Sequence, residues 1–205
     1  MPRLTQIKET KKGRLALFFD GKFAFSLDEQ TFADAALHQD DLLEDWQIEE
    51  LRKKSETRRA LDKAMDYLSL RDHAAGELYQ KLCRRFDAHS AAYAVARAGE
   101  LGLLNDAGFA RRRAAELLRK RKSRREIMQD LNAKGIDRDT AAEVVEELFA
   151  ENDDGENPEL ETARALVARQ YASKLAAGKR DQVAAALARR GFSHAVIREV
   201  LSDNE

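Results

Sequence analysis

Three stretches of the chain are similar to one another, and this internal repeat constrains the fold more than any other feature. They are ELYQKLCRRFD at residues 77–87, EIMQDLNAKGID at 126–137 and QVAAALARRGFS at 182–193. The equivalent leucines, Leu82, Leu131 and Leu187, are 49 and 56 residues apart. This period is too long for units of two helices and leaves room for three. We therefore expect tandem three-helix repeats with these leucines in the core.

Helix start and stop signals agree with three-helix units. Ser123 and Glu126 form an S-x-x-E capping box, which is typical of a helix start. The other expected boundaries are Gly135 and Gly191 as helix-ending glycines, Asp137 and Ser193 as N-caps, and Asn157-Pro158 as the opening of the third repeat. The first repeat departs from this pattern, because Phe86 occupies the glycine position and Ala74 the capping position.

The first 27 residues have the alternating pattern of strands and not the helical pattern of the repeats, and they predict a small antiparallel meander. Asp20-Gly21 favours a two-residue type I′ turn, because both central residues of that turn need positive φ. The alternating residues Leu15, Leu17 and Phe19, followed by Phe23, Phe25 and Leu27, would form one apolar face. LTQIKE would supply a third strand, and the face would cover a helix because a lone hairpin is marginally stable.

The resulting fold class is mainly α, with three tandem three-helix repeats in an elongated array after the N-terminal strands. Only two prolines and ten glycines interrupt 205 residues, which favours helix throughout the rest. The predicted domains are 1–56 (strands plus short helices), 57–106, 107–152 and 158–205. In the second repeat we expect the apolar stripe to be core, namely Phe109, Ala114, Leu117, Leu118, Ile127, Leu131, Ile136, Val144, Val145 and Leu148.

No motif in the sequence predicts catalysis, a cofactor or a metal site. The four histidines are scattered, and none falls in a metal-ligand spacing. Gly178-Lys179 lacks the leading glycine and the following hydroxyl residue of a phosphate loop. Cys83 is the only cysteine, and no apolar run reaches the roughly 18 residues of a membrane span. We expect a non-enzymatic, cytoplasmic protein that binds no membrane.

A basic segment, FARRRAAELLRKRKSRREI at residues 109–127, is the candidate binding site. Its nine cations are Arg111, Arg112, Arg113, Arg119, Lys120, Arg121, Lys122, Arg124 and Arg125. Only Glu116 and Glu126 oppose them, although the whole chain has a net charge of −1. Acidic segments at 28–56 and 143–161 flank this cationic one. We expect 109–122 to form a helix with Arg112, Arg113, Arg119 and Lys120 outward and the Arg121 stem on the apolar stripe.

This charge pattern predicts contacts with phosphates. Arginine outnumbers lysine in the segment, and its planar fork suits phosphate and carboxylate groups. No aromatic residues alternate with the cations, so contacts would be mainly to the nucleic-acid backbone. A solvated charged face is the alternative interpretation.

The chain also resembles a known family, the bacterial RecX regulators. The resemblance lies in RALDKAMDYLSLRDHAAGELYQKL at 59–82 and GLLNDAGFARRRAAELLRKRKSRREIMQDLNAKGI at 102–136. Its marks are Ala64-x-x-Tyr67-Leu68-x-x-Arg71, Leu104-x-Asp106 with Phe109-Ala110, and Leu131-x-x-Lys134-Gly135-Ile136. Phe86 and Ala74 depart from the family pattern.

The resemblance implies a curved array of three-helix repeats that binds the RecA recombinase filament on single-stranded DNA. It implies inhibition of strand exchange, ATP hydrolysis and coprotease activity, and hence a role in recombination, repair and the SOS response. We expect a monomer whose basic segment faces the filament groove, with weak affinity for single-stranded DNA alone. A helix-turn-helix protein that binds duplex DNA and a repeat adaptor with protein partners only remain as alternatives.

Overall fold

The computed structural model describes residues 1–150 and 157–203, and this part of the chain contains three strands and eleven helices. The strands are β1 (Leu4–Glu9), β2 (Leu15–Phe19) and β3 (Lys22–Leu27). The helices are α1 (Glu29–Asp34), α2 (Asp45–Leu70), α3 (Ala75–Leu82), α4 (Ala88–Glu100), α5 (Asp106–Arg119), α6 (Arg124–Ala133), α7 (Arg138–Phe149), α8 (Pro158–Gln170), α9 (Ala172–Ala176), α10 (Arg180–Arg190) and α11 (His194–Ser202). The predicted mainly helical fold class, with a small N-terminal sheet, is confirmed.

The N-terminal sheet is antiparallel in the order β1-β2-β3. Asp20 and Gly21 have φ values of 49° and 76°, as the predicted type I′ turn requires. One face of the sheet packs on α1 and α2, where Leu4, Leu17 and Leu27 form a core with Leu51. The predicted meander is therefore confirmed, including its third strand.

Phe23 departs from the predicted apolar face, because its side chain is 61% exposed. The register shifts between Leu17, which pairs with Phe25, and Phe18, which pairs with Phe23. Strand β3 thus has one more residue than β2 at this point, and a bulge of this kind moves the residues beyond it to the opposite face. The strict alternation expected for Phe23 is wrong.

The contacts of the described residues divide the chain into two compact units. The first contains Met1–Asp72 and Leu78–Leu104, and the second contains His73–Glu77 and the described residues from Asn105 onward. Helix α2 passes without a break through the boundary predicted between residues 56 and 57. The three equivalent leucines, Leu82, Leu131 and Leu187, are fully buried, as expected.

The predicted helix boundaries in the second and third repeats are confirmed. Ser123 and Glu126 form both hydrogen bonds of the capping box. Gly135 and Gly191 have φ values of 77° and 91°, the left-handed conformation of a helix-ending glycine. The confirmed N-caps are Asp137, Asn157 and Ser193. The third repeat contains one helix more than expected, the short α9. Residues 151–156, within the acidic segment predicted at 143–161, lie outside the described residues.

The first helix of the second repeat ends earlier than expected, at Arg119 instead of residue 122. Arg121 has a φ of 60°, and its N–H donates to the Leu118 carbonyl at 2.8 Å. The Lys122 N–H donates to the Leu117 carbonyl at 3.1 Å, which completes a Schellman turn. The Arg121 stem is therefore in a turn and not on the apolar stripe of the helix.

The second unit repeats one packing contact at the start of a helix. A Cβ added to Gly76, near the start of α3, would lie 2.5 Å from the Gly135 Cα. Arg125, at the equivalent position of α6, lies against Gly191, where an added Cβ would be 2.6 Å from the Arg125 Cβ. The start of each of these helices thus contacts the helix-ending glycine of the next repeat, and a side chain at that glycine would clash with the helix start.

Candidate nucleic-acid interface

The basic segment, residues 109–127, spans most of α5, the turn 120–122 and the start of α6. It does not form a uniform cationic ridge, because at least five of its nine cations have carboxylate partners. These pairs are Arg111 with Glu147, Arg113 with Asp130 and Glu116, Lys120 with Glu116, Lys122 with Glu126, and Arg124 with Glu146. The charge available to a ligand is therefore smaller than the sequence indicates.

Arg113 is a structural cation. Its Nε and Nη2 atoms donate to the two oxygens of Asp130 at 2.8 and 2.9 Å, and Nη1 donates to Glu116 at 2.9 Å. The side chain is 27% exposed. The hydrogen bonds to Asp130 raise the pKa of the Arg113 guanidinium above its ordinary value. The expectation that Arg113 faces outward is wrong, because Asp130 of α6 binds it from the neighbouring helix.

Two more arginines are opposed by the acidic segment that follows them in sequence. Arg111 donates to the Glu147 carboxylate at 3.1 Å, and this hydrogen bond raises the pKa of Arg111. Arg124 pairs with Glu146 and lies 6.0 Å from the centroid of the Phe149 ring. Both carboxylates belong to α7, so the acidic segment interacts with the basic one in addition to flanking it in sequence.

Three arginines of the segment remain exposed without a carboxylate partner among the described residues: Arg119, Arg121 and Arg125. Arg112 is also exposed and interacts within the chain. Because no salt bridge has to break first, the three unpaired arginines are the members of the segment best able to bind an external anion.

The turn 120–122 forms one wall of a cleft whose other walls are α8 and the end of α10. The cleft has a volume of about 430 Å³. Its lining residues are Lys120, Arg121, Lys122, Ala165, Leu166, Arg169, Gln170 and Arg190. We call this feature the basic cleft; it contains five cations, and no carboxylate lines it.

The walls of the basic cleft are fixed to each other by direct contacts. Ser123 is fully buried, and its Oγ donates to the Arg190 carbonyl oxygen at 2.5 Å. The Arg190 Nη2 donates to Oε1 of Gln170 at 3.0 Å, which joins α10 to α8. Arg169 is exposed and has no carboxylate partner among the described residues. The turn and the Arg190 guanidinium are thus placed before any ligand arrives, and a preorganised site binds with less ordering entropy.

Sequence reasoning missed Arg169 and Arg190, which lie 47 and 68 residues beyond Lys122. Their pattern within α8 and α10 is that of ordinary surface residues. One signal was available for Arg190, which directly precedes the helix-ending Gly191 and so lies at the end of a helix close to the repeat junction. Only the packing of the second repeat on the third brings both residues to the turn.

The arrangement suits the binding of anions. Five cations converge in the cleft. Lys120 and Lys122 are paired with Glu116 and Glu126, but Arg121 and Arg169 have no carboxylate partner among the described residues and can donate to a phosphate or a run of phosphates. Within the described ranges, no group of three histidine, cysteine or acidic side chains could hold a metal ion. No described helix is both long enough and apolar enough to cross a bilayer.

Comparisons with known proteins give a consistent result. Family models match at residues 60–97 (RecX, first three-helix domain) and 105–145 (RecX, second three-helix domain). The regulatory protein RecX of Lactobacillus gasseri is 34% identical over 159 residues, which cover 76% of this chain and 57% of the relative. That of Bacillus subtilis is 30% identical, with 74% and 59% covered. The matches thus span little more than half the length of these relatives.

Solved structures show the same fold. A crystal structure of a regulatory protein RecX superposes with a TM-score of 0.70 at 20% identity and covers 98% of both chains. The crystal structure of RecX from Lactobacillus salivarius gives a TM-score of 0.61 at 19% identity, with 73% of this chain and 96% of that one covered. Identities this low support the architecture and carry no information on individual side chains.

Proposed function

Because the chain belongs to the RecX family, we propose that it is a non-enzymatic regulator that binds the RecA filament on single-stranded DNA. Binding would reduce strand exchange, ATP hydrolysis and the coprotease activity of the filament. The protein would act as a cytoplasmic monomer in DNA recombination, repair and the SOS response.

The basic cleft is the observation that carries this proposal. A regulator that lies along a nucleoprotein filament can hold the DNA through its phosphates without reading the base sequence. The cleft supplies cations from α8, α10 and the turn 120–122, and no aromatic side chain lines it. Arg119 and Arg125 flank the turn and extend the cationic surface along α5 and α6. Contacts of this kind position a protein on nucleic acid without sequence specificity.

Titration against four ligands tests the proposal: naked single-stranded DNA, duplex DNA, free RecA and RecA assembled on single-stranded DNA. We expect the tightest binding to the assembled filament and weak binding to naked single strands. Sub-stoichiometric protein should lower the rate of ATP hydrolysis by RecA on single-stranded DNA. Preference for duplex DNA, or equal binding to free and assembled RecA, would contradict the proposal.

The double variant Arg121→Gln with Arg169→Gln tests the basic cleft itself. If each arginine contacts one phosphate, removing both should make the slope of log affinity against log salt shallower by about 1.4 for single-stranded DNA. Filament binding should weaken while the helical circular dichroism stays unchanged. The matched control is Arg138→Gln with Arg198→Gln, which removes two exposed arginines of the same unit outside the cleft. Equal losses in both double variants would exclude a specific role for the cleft.

A further inference from the structure

A second cationic concavity lies in the first unit, far from the basic segment in sequence. It is formed by the β1–β2 turn, strand β3 and the middle of α2, and has a volume of about 730 Å³. A smaller concavity of about 320 Å³ adjoins it and shares Lys12, Arg14 and Arg59. We call the two together the aromatic groove, because Phe23 lines one part and Phe86 the other.

The groove has an excess of positive charge. Its cations are Lys11, Lys12, Arg14, Arg52, Arg59, Lys63 and Arg85, and its carboxylates are Glu56, Asp62 and Asp66. Arg52 is held by Glu49 and Lys63 by Asp66. Lys11, Lys12 and Arg85 are exposed and have no carboxylate partner among the described residues. These three cations are available to an anionic ligand.

Arg14 forms the floor of the groove. Its Nη2 donates to the Ser26 carbonyl oxygen at 2.7 Å and to the Ser55 Oγ at 3.1 Å, which joins β3 to α2. Burial lowers the pKa of the Arg14 guanidinium, and the nearby Arg59 acts in the same direction. The floor is therefore a fixed cation in a partly desolvated position, where attraction to an incoming anion is stronger than in bulk water.

Two aromatic rings accompany these cations. Phe23 is 61% exposed because of the bulge in β3, and the Phe18 and Phe23 rings pack in a T-shaped arrangement with centroids 5.7 Å apart. The Arg59 guanidinium lies 6.0 Å from the centroid of Phe86. Phe23 does not belong to the buried core of the sheet, and most of its ring faces solvent in the concavity that Lys11 and Lys12 also line. An exposed ring beside cations is the arrangement with which proteins bind single-stranded nucleic acid by base stacking.

We propose that the aromatic groove binds single-stranded nucleic acid, with a base stacked on Phe23 and the adjacent phosphates at Lys11 and Lys12. An acidic protein segment would satisfy the lysines but would leave the Phe23 ring in water, so the aromatic ring favours a nucleotide strand. This site is distinct from the basic cleft in its chemistry, because the cleft has no aromatic lining.

The test uses the full-length protein with the cleft substitutions Arg121→Gln and Arg169→Gln, so that the remaining affinity reports on the groove. The probe is a fluorescent oligothymidylate, and anisotropy is measured over a range of salt. Adding Phe23→Ala should weaken binding by about fivefold to a hundredfold. The salt slope should stay unchanged, because stacking releases no counterions. Trp46→Ala is the matched control, as Trp46 is 65% exposed on α2 but does not line the groove.

The two lysines are tested by the salt dependence of binding, which Phe23→Ala should leave unchanged. Lys11→Gln with Lys12→Gln should make the salt slope shallower by about 1.4, as expected for two lost phosphate contacts. Lys53→Gln with Lys54→Gln removes the same charge from exposed positions of α2 outside the groove and should leave the slope closer to that of the parent.

An oligonucleotide of abasic sites separates stacking from charge. Phe23→Ala should have no effect on its affinity, because the abasic strand offers no base to the ring. Absence of oligothymidylate binding in the cleft variant, or equal effects of Phe23→Ala and Trp46→Ala, would overturn the inference. The inference would also be overturned if polyglutamate displaced the oligothymidylate and Phe23→Ala did not change the affinity for either polymer. RecA is absent from these measurements, so their outcome is independent of the proposed regulation of the filament.

Discussion

Arg121 has a left-handed backbone conformation that glycine adopts at four other described helix ends, although Ala36 adopts it after α1. Gly102, Gly135, Gly178 and Gly191 all have positive φ at the ends of described helices, and Arg121 has a φ of 60°. A residue with a Cβ is less stable in this conformation by about 1–2 kcal/mol. Arg121 also lines the basic cleft. Strained residues cluster at functional sites, so the strain supports a role for its side chain in binding.

Arg121→Gly should therefore affect stability and binding in opposite directions. Relief of the left-handed strain should raise the free energy of unfolding by about 1 kcal/mol, measured by urea denaturation. Loss of the guanidinium should weaken binding to single-stranded DNA and to the RecA filament. Arg121→Ala is the control, since it removes the same charge and keeps the strain. A stability gain equal to that of the glycine variant would show that the backbone is not strained.

At single positions, the sequence predicts those residues whose role depends on close neighbours in the chain. The capping box of Ser123 and the left-handed Gly135 were predicted because their partners lie within a few residues. The partner of Arg113 could not be predicted, because Asp130 belongs to another helix and other carboxylates were equally available. The same reason explains why Arg169 and Arg190 were missed.

Helix α7 begins with an aspartate cap that makes its stability depend on pH. The Asp137 carboxylate accepts from the backbone N–H groups of Thr140 at 2.9 Å and Asp139 at 3.1 Å. Hydrogen bonds from Thr140 hold the pKa of Asp137 below its ordinary value. The cap therefore stabilises the fold above the unfolded-state pKa of about 3.9. Its contribution is lost as the pH falls through the lower pKa of the folded state.

Asp137→Asn should flatten this dependence, because an amide caps the helix without titrating. The measurement is the urea midpoint between about pH 5 and pH 2, compared with the parent. The parent should lose more stability than the variant over this range. Asp139→Asn is the control, because Asp139 is an exposed neighbour whose own carboxylate does not cap the helix. An unchanged dependence in Asp137→Asn would contradict the role assigned to this cap.

The close contact between Gly76 and Gly135 makes the start of α3 sensitive to one methyl group. Gly135→Ala combines a left-handed backbone with a Cβ 2.6 Å from the Gly76 Cα. Gly102→Ala has the same backbone problem, with φ at 71°, but open space around the added Cβ. Gly135→Ala should thus lower the free energy of unfolding by about 1–3 kcal/mol more than Gly102→Ala, measured by urea denaturation. Equal losses of unfolding free energy in the two variants would mean that the contact between Gly76 and Gly135 can open without destabilising the protein.

Among the elements, regular patterns were predictable and local irregularities were not. The leucine period and the caps predicted α6, α7 and α11 because a three-helix repeat needs these signals in fixed order. The bulge in β3 was not predictable, since its sequence alternates as a regular strand would. The early end of α5 was missed because Arg121 carries no glycine signal, and the aromatic groove was missed because it depends on the bulge.

Across the whole chain, a net charge of −1 conceals segments of opposite sign that interact. In the sequence the acidic segment is only a neighbour that flanks the basic one. Its described residues Glu146 and Glu147 also form salt bridges with Arg124 and Arg111. A nucleic-acid strand has to compete with these carboxylates for the two arginines. The acidic helix face should thus limit the affinity of the protein for any polyanion.

Glu146→Gln with Glu147→Gln should release Arg111 and Arg124 and strengthen binding to single-stranded DNA. Two additional phosphate contacts would steepen the slope of log affinity against log salt by about 1.4. The control is Asp139→Asn with Glu143→Gln, which changes the net charge equally and breaks no salt bridge between the described residues. If long-range repulsion by α7 were the whole effect, both double variants would bind equally tightly and their slopes would coincide. A steeper slope in the Glu146 and Glu147 variant alone would show that the released arginines themselves bind the strand.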